Sequence, residues 1–288
     1  MFIRTDSGIS NRSLFTGSDY TLYVEGGGGV ANAGSSDVIF WGDLLKERRK
    51  DLKVAVVAFG GKPELEAIAD KILSGEISNT LVALDADFDE MLEERRESNF
   101  ILYTYGYSWE NDAFCIDLLD TLLFRTLKID NVQLAAAEPA RQRLKTHLSD
   151  LVPWINADFW LRSMNSSLFP RIAPGRVVGT SAITSEATIN RREIWKIFKS
   201  TLKEIPLEQR KPRPGVWILS AASLLHGHLY KHLIRATLVD ALRLLGRKTQ
   251  LSDDLMEHIT FPAFCRLVAE SNHPRCQHYR SILEKIPA

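Results

Sequence analysis

The sequence predicts an α/β fold, a parallel sheet flanked by helices and followed by a mainly α-helical region. Three observations predict it. Short apolar or β-branched runs at Tyr20–Glu25, Leu52–Phe59, Thr80–Leu84 and Phe100–Tyr105 read as buried strands, the kind found in parallel sheets. Helical segments separate the first three, giving the strand–helix alternation of βαβ units. Past Lys128 the strand signal fades and helical periodicity takes over.

Residues 1–19 are polar and punctuated by Gly8, Gly17 and Asp19, which predicts an irregular start. The first strand, YTLYVE, ends on a carboxylate at Glu25. A long glycine-rich loop, Gly26 to Ser36, follows, and Ser35 or Ser36 can cap a helix from Asp37 to about Arg49. Its apolar face is Val38, Phe40, Trp41, Leu44 and Leu45. After the second strand, Gly60-Gly61 turns the chain and Pro63 suits the first turn of a helix over Glu64–Leu73, which Ser74-Gly75 ends. The third strand runs straight into Asp85-Ala86-Asp87-Phe88-Asp89. The fourth leads through Gly106 to Tyr107-Ser108-Trp109-Glu110-Asn111-Asp112, with a helix expected over Ala113–Leu127.

In the remainder, Gln133–Leu151 and Asn190–Leu202 have helical periodicity, and Pro170, Pro174 and Gly175 mark a loop between them. Pro206, Pro212, Pro214 and Gly215 mark a linker. Val216–Leu245 predicts a long helical stretch, interrupted near Gly227 and closed by Gly246. Two shorter helices, within Asp253–Ser271 and Pro274–Ile286, complete the chain. Residues 1–127 read as one domain and 128–288 as a helical, basic region for substrate binding or dimerisation.

Composition narrows the class. Hydrophobic residues make 45% and charged residues 25% of the 288, as in a globular protein in water. No stretch approaches the ~18 uninterrupted apolar residues of a membrane span. The N-terminal MFIRTDSGISNRS lacks an apolar core for a secretory signal. Cys115, Cys265 and Cys276 are odd in number, scattered and without C-x-x-C spacing, which fits a reducing cytoplasm and inert thiols. The zero net charge conceals a division. Residues 1–125 hold 12 Lys/Arg and 22 Asp/Glu, a net of −10, and residues 126–288 hold 24 and 14, a net of +10. An acidic half can supply cation ligands and a basic half can attract a polyanion, or the two can simply attract each other.

The chemistry-bearing stretch is Asn79–Glu90, NTLVALDADFDE. If the strand continues, Asp85 and Asp87 point to the same side, at the carboxyl end where open α/β sheets keep their ligands. Two close carboxylates repel unless a proton or cation lies between them, and Mg²⁺ suits one or two carboxylates plus waters. The same pattern also serves as a solvated turn, and it occurs in two-Asp phosphatases and metal-dependent sugar transferases. Company comes from Glu25 and Glu110, which also follow strands; a parallel sheet brings all such ends to one edge.

Glu25-Gly26 after a strand, then Asp-x-Asp, then a further Glu, resembles the Toprim domain of the OLD-family nucleases. It is more closely similar to the small stand-alone Toprim effectors of the PARIS antiphage defence system, which are paired with an ABC-type ATPase. The motifs LYVEG, VALDADFD and YSWEN carry the resemblance over about Tyr20–Leu118, with a weaker echo at Gly227-His228. It implies Glu25 as general base or metal ligand, Asp85 and Asp87 as metal ligands, Glu110 as a further ligand, and Mg²⁺ or Mn²⁺ as cofactor. The family has another Asp soon after the Glu-Gly; here the next acid is Asp37, set across an enlarged loop, and the motifs do not place the downstream lysine of some relatives. The resemblance also implies endonuclease activity on host nucleic acid, RNA in preference to DNA and tRNA among the RNAs. Restraint by the ATPase and a homodimeric active form belong to the same expectation.

Other signals have alternatives. Gly26-x-Gly28-x-x-Ala31 loosely matches a dinucleotide fingerprint, but the acidic strand end and the missing G-K-[ST] argue against phosphate cradling; a mobile loop or spacer is the other reading. His226, His228 and His232 lack an H-E-x-x-H and suggest polar packing or RNA contact rather than zinc. Arg191, Arg192, Lys196, Lys199, Lys203, Arg210, Lys211 and Arg213, with Trp195 and Phe198, form a candidate nucleic-acid-binding segment or a solvated basic helix with its aromatics in the core. A phosphatase with Asp85 as nucleophile is disfavoured because Asp87 is followed by Phe88-Asp89 rather than Gly-Thr. A non-catalytic module that binds an ATPase is the third class.

Overall fold

The computed structural model describes residues 8, 12–26, 35–127, 135–169, 173–180, 186–213, 215, 220–247 and 251–288. The glycine loop from 27 to 34, the start of the helix predicted from Gln133 and residues 216–219 of the predicted long helix lie outside these. Two compact units result. One comprises Met1–Ala86, Glu93–Trp109 and Phe261–Ala288; the other comprises Asp87–Leu92 and Glu110–Thr260. The C-terminal segment, Phe261–Ala288, is grouped with the sheet-bearing unit.

In that first unit a short helix α1 (Arg12–Thr16) precedes β1 (Tyr20–Val24), α2 (Ser36–Arg48), β2 (Val54–Ala58), α3 (Lys62–Leu73), β3 (Thr80–Leu84) and β4 (Ile101–Tyr103). The sheet is wholly parallel in the order β2-β1-β3-β4, with Tyr23 opposite Val57 and Val82, and Val82 opposite Ile101. Strand parity sorts the two faces. Tyr23, Val57, Val82, Leu84, Ile101 and Tyr103 bury one face against Leu65, Ile68 and Ala69 of α3. On the other, Phe40 of α2 is ringed by Trp109, Phe261, Phe264 and Tyr279 at centroid distances of 5.6–5.9 Å. Burying a Phe or Leu fully stabilises by about 1.5–3 kcal/mol, so this ring cluster explains why the last helix, Pro274–Glu284, docks here.

Local chemistry sets the helix starts. Ser35 caps α2 by accepting from the Val38 N–H at 3.4 Å. Gly61 caps α3, its N–H donating to Glu64 Oε2 at 3.0 Å, with Pro63 in the first turn. Gly60 has φ +61°, and a Cβ there would lie 2.9 Å from Glu64 Cβ, so only glycine suits this turn.

The second unit holds α4 (Trp109–Ala113, which straddles the junction), α5 (Ile116–Leu127), α6 (Glu138–Arg162), α7 (Arg191–Glu204), α8 (Ala221–Leu224), α9 (Gly227–Leu244) and the first turns of α10 (Asp253–Glu270), up to Thr260. One helix was expected over Ala113–Leu127; instead the chain breaks at Phe114-Cys115, where the Tyr230 hydroxyl donates to the Phe114 carbonyl. A hairpin, β5 (Val178–Thr180) with β6 (Ala187–Ile189), has no counterpart in the sequence reading, since three-residue strands leave almost no periodic signal. Gly246, at φ +69°, closes α9 as expected, with Arg247 N–H donating to the Leu242 carbonyl. Among the described residues no helix is long and apolar enough to cross a membrane.

Candidate active site

In the first unit, β1 and β3 are neighbours and run parallel, and each is followed at once by an acid. Glu25 follows Val24 and Asp85 follows Leu84. Extending the register of Tyr23 opposite Val82 sets Glu25 beside Leu84, so the two acids emerge one step apart from adjacent strands. Neighbouring strands lie roughly 5 Å apart. Both residues are partly exposed, whereas the strands behind them are buried. The carboxyl edge therefore presents two accessible carboxylates on a rigid support.

Three further elements frame this edge. The Lys62 ammonium, on the first turn of α3, donates to the Asp85 carbonyl at 3.3 Å, and Lys62 is only 8% exposed. Glu25 Oε1 would lie 3.8 Å from a Cβ added at Gly61, so its carboxylate reaches toward the Gly60-Gly61 turn. Gly26 lies against Ser35, whose side chain would be 3.7 Å from a Cβ there. This brings the first turn of α2, and Asp37 within it, to the Glu25 strand end. The turn after β3 is pinned from β4: Thr104 N–H donates to the Leu84 carbonyl at 3.2 Å, and Thr104 Oγ1 accepts from Ala86 N–H at 2.9 Å.

Asp87 departs from its expected position. β3 stops at Leu84, and Asp87 has φ +45°, a left-handed turn conformation. Strand alternation therefore does not carry Asp85 and Asp87 to one side, because the pattern ends before it reaches either. Asp87 belongs to the second unit, is buried, and has the Arg162 guanidinium 3.9 Å away. Arg162 lies four residues beyond Asp158 on α6, one helical turn along. The Asp158 carboxyl accepts from Leu168 N–H at 2.6 Å and Ser167 Oγ at 3.2 Å. Burial pushes its pKa up to about 6, with the Asp87 charge adding to the rise. Asp89 is buried as well, 1% exposed.

Glu110 opens the second unit's larger segment and is buried on α4. Its Oε1 lies 3.6 Å from His228 Nδ1, at the start of α9. The Asn111 amide donates to the Ala222 and Leu225 carbonyls at 3.1 and 2.9 Å, fixing the turn ahead of that helix. Lys231 pairs with Glu257 and, at 3.4 Å, with Asp253. His232 faces Arg235, and burial lowers its pKa. His226 is buried with its ring 5.9 Å from that of His228, which is exposed beside Glu110, whereas His232 is half-buried beside Arg235.

The predicted basic segment forms a distinct face of the second unit. α7 is capped by Asn190, whose side chain accepts from Glu193 N–H at 3.0 Å. Ile194 and Phe198 are buried, while Trp195 is 47% exposed and stacks on Phe198 at 5.6 Å. Trp154 lies 6.1 Å from Trp195, and Trp160 6.3 Å from Phe198. Lys199 lies over the Trp195 ring at 4.9 Å and Arg213 over Trp160 at 5.4 Å. Arg192, Lys196, Lys199 and Lys203 are exposed. Arg191 pairs with Asp150 at 2.6 Å and Lys196 with Glu193 at 3.7 Å. Arg210 turns inward, donating to the Leu202 and Ile205 carbonyls at the end of α7, and Lys211 contributes its main chain to Trp160 and Met164.

The residues suit a hydrated hard cation better than a closed cage. Glu25 and Asp85 offer oxygen ligands at an accessible edge. Among the described residues, no group of three His, Cys, Asp or Glu stands ready to hold a metal ion. Mg²⁺ is commonly bound by one or two carboxylates and keeps several waters, which matches such a pair. Lys62 escaped the sequence reading although Gly60-Gly61-Lys62 at a strand-to-helix turn was a signal for it; Asp158 and Arg162 offered only their one-turn spacing. No protein-family model matches the chain, and comparison with curated proteins gives no match.

Proposed function

We propose that the chain is a metal-dependent phosphodiesterase of the Toprim type that cleaves nucleic acid, RNA in preference to DNA. The observation that carries this reading is the parallel pairing of β1 with β3, from whose ends Glu25 and Asp85 emerge side by side. These two would hold Mg²⁺ or Mn²⁺, with Asp37 the nearest further acid on α2. The bound cation would supply a water of lowered pKa and neutralise charge on the phosphodiester.

The chain's own groups have separable tasks. Glu25 Oε1 accepts a proton from the attacking water. Lys62, by holding the Asp85 carbonyl, fixes the strand end from which Asp85 projects. Asp87 and Glu110 lie in the second unit, each buried beside a cationic or ionisable side chain there. The α7 face binds the substrate: Trp195 offers a ring for base stacking, and the surrounding Lys and Arg neutralise phosphates. The resemblance to antiphage effectors extends the proposal to an ABC-type ATPase that restrains the enzyme and to a cytoplasmic setting.

The test incubates the purified protein with total RNA and with plasmid DNA, with and without Mg²⁺. Mg²⁺-dependent RNA fragmentation that disappears in Glu25→Gln and Asp85→Asn is expected. Fragmentation unchanged by chelator, or by both substitutions, would overturn the proposal.

A further inference from the structure

The carboxyl edge that carries Glu25 and Asp85 continues onto β4. Leu84 lies opposite Tyr103, so the register sets Asp85 beside Thr104 and Ala86 beside Tyr105. This extension is tied in place, because Thr104 Oγ1 accepts from Ala86 N–H at 2.9 Å. Tyr105 therefore leaves the sheet next to the residue that follows Asp85.

Two residues of the last helix, α11 (Pro274–Glu284), meet this tyrosine. The Arg275 guanidinium lies 5.8 Å from the centre of its ring, within cation–π range, and the His278 ring is 5.7 Å away at 61°. His278 is fixed in turn. Its Nε2 is 2.8 Å from the Tyr103 carbonyl, which can only accept, so this nitrogen carries the proton. Its ring also meets that of Tyr279 at 5.4 Å, and Tyr279 is fully buried beside Phe264 and Phe40. A chain of ring contacts thus anchors Tyr105 to the core.

Tyr105 is nevertheless 39% exposed. Among the described aromatics of the first unit only Phe15 and Tyr105 are exposed, and Phe15 lies on α1, ahead of the first strand. Base stacking calls for a ring that is held in place and open to solvent. Every base has a π-face, and a tyrosine already held loses little freedom on binding. The Arg275 cation beside the same ring adds attraction for a polyanionic strand.

We propose that Tyr105 is a stacking subsite for the nucleobase adjoining the phosphodiester held at Glu25 and Asp85, with Arg275 and His278 as the residues that position its ring. Its role rests on the nuclease reading of the sheet edge. The ligand is an unpaired base, since a base inside a duplex has both faces covered by its neighbours.

Short oligoribonucleotides carrying 2-aminopurine at successive positions report stacking by loss of fluorescence and need no cleavage. The parent for this test is the full chain with Trp195→Ala, so that the α7 ring does not contribute. Ca²⁺ replaces Mg²⁺ as a hard cation with the same preference for oxygen. Quenching at one position is expected, kept in Tyr105→Phe and lost in Tyr105→Leu, with roughly tenfold weaker affinity in the Leu variant. Leucine keeps an apolar contact for Arg275 and His278, so its thermal melt should match that of the parent. In Mg²⁺ the Leu variant should raise KM by a similar factor and leave kcat nearly unchanged, as loss of uniform binding does. Equal quenching in Tyr105→Leu and its parent, or quenching at no position, would overturn the subsite. A Tyr105-dependent quench in a chain that cleaves no RNA in Mg²⁺ would retain the subsite and overturn the nuclease reading instead.

Discussion

The buried ammonium of Lys62 donates to the main-chain carbonyl of Asp85 across 3.3 Å, tying the first turn of α3 to the end of β3. A charged donor to a neutral carbonyl contributes about 1.5–3 kcal/mol, so the tie also holds the backbone from which the Asp85 carboxylate projects. Lys62→Met keeps the stem and removes the donor. A several-fold weaker Mg²⁺ affinity is expected, measured by Mg²⁺-induced thermal stabilisation. Unchanged stabilisation would limit Lys62 to packing.

Glu25 and Asp85 are supported by the sheet and support no core themselves. Glu25→Gln and Asp85→Asn should fold normally and lose about 10² or more of the cleavage rate. The accompanying melts should show no Mg²⁺ stabilisation in either variant. Wild-type rates in Glu25→Gln would remove it from the site.

Asp89 is buried, with 1% of its surface exposed. Asp89→Asn changes the hydrogen-bonding capacity of a buried group, which costs on the order of 1–3 kcal/mol. Denaturant unfolding should show that loss even without Mg²⁺. Stability equal to wild type would mean that the amide satisfies the same surroundings.

Asp158 imposes a pH dependence. Its folded pKa, raised to about 6 by burial, exceeds the ordinary aspartate value of 3.8. The stability it contributes is therefore complete below pH ~4 and is lost as pH rises through about 6, by roughly 3 kcal/mol from 1.36 kcal/mol per unit. Asp158→Asn retains an acceptor for Leu168 N–H and should flatten the stability profile between those pH values. A wild-type slope in the variant would show that another group titrates there.

The α7 face should behave as an electrostatic and stacking surface. Reversing Lys196, Lys199 and Lys203 to Glu should weaken binding of single-stranded RNA and reduce the dependence of log K on log salt. Trp195→Ala should cost about 1–3 kcal/mol of binding with little change in that slope. Filter binding at several salt concentrations separates the two contributions. Affinity unmoved by either change would leave α7 a solvated face.

What the sequence determined by itself was local. Four strands, the Ser35 cap, the Pro63 start and the Gly246 stop were legible because each depends on a few neighbouring residues. The acids Glu25 and Asp85 were legible too, because parallel strands bring their carboxyl ends to one edge by geometry alone. Tertiary structure decided the rest. Asp87 left the strand pattern because β3 ends at Leu84, before the period-2 rule could reach it. Asp89 was buried, and Asp158 acquired its raised pKa through burial, which no local pattern around either residue announces. Phe261, Phe264 and Tyr279 returned to the first unit because Phe40 offered an apolar face that hydrophobic burial, which is non-directional, fills from any part of the chain. Hydrogen-bonded caps and strand patterns are written in adjacent residues, whereas burial and charge environment are set by whichever distant side chains complete the packing.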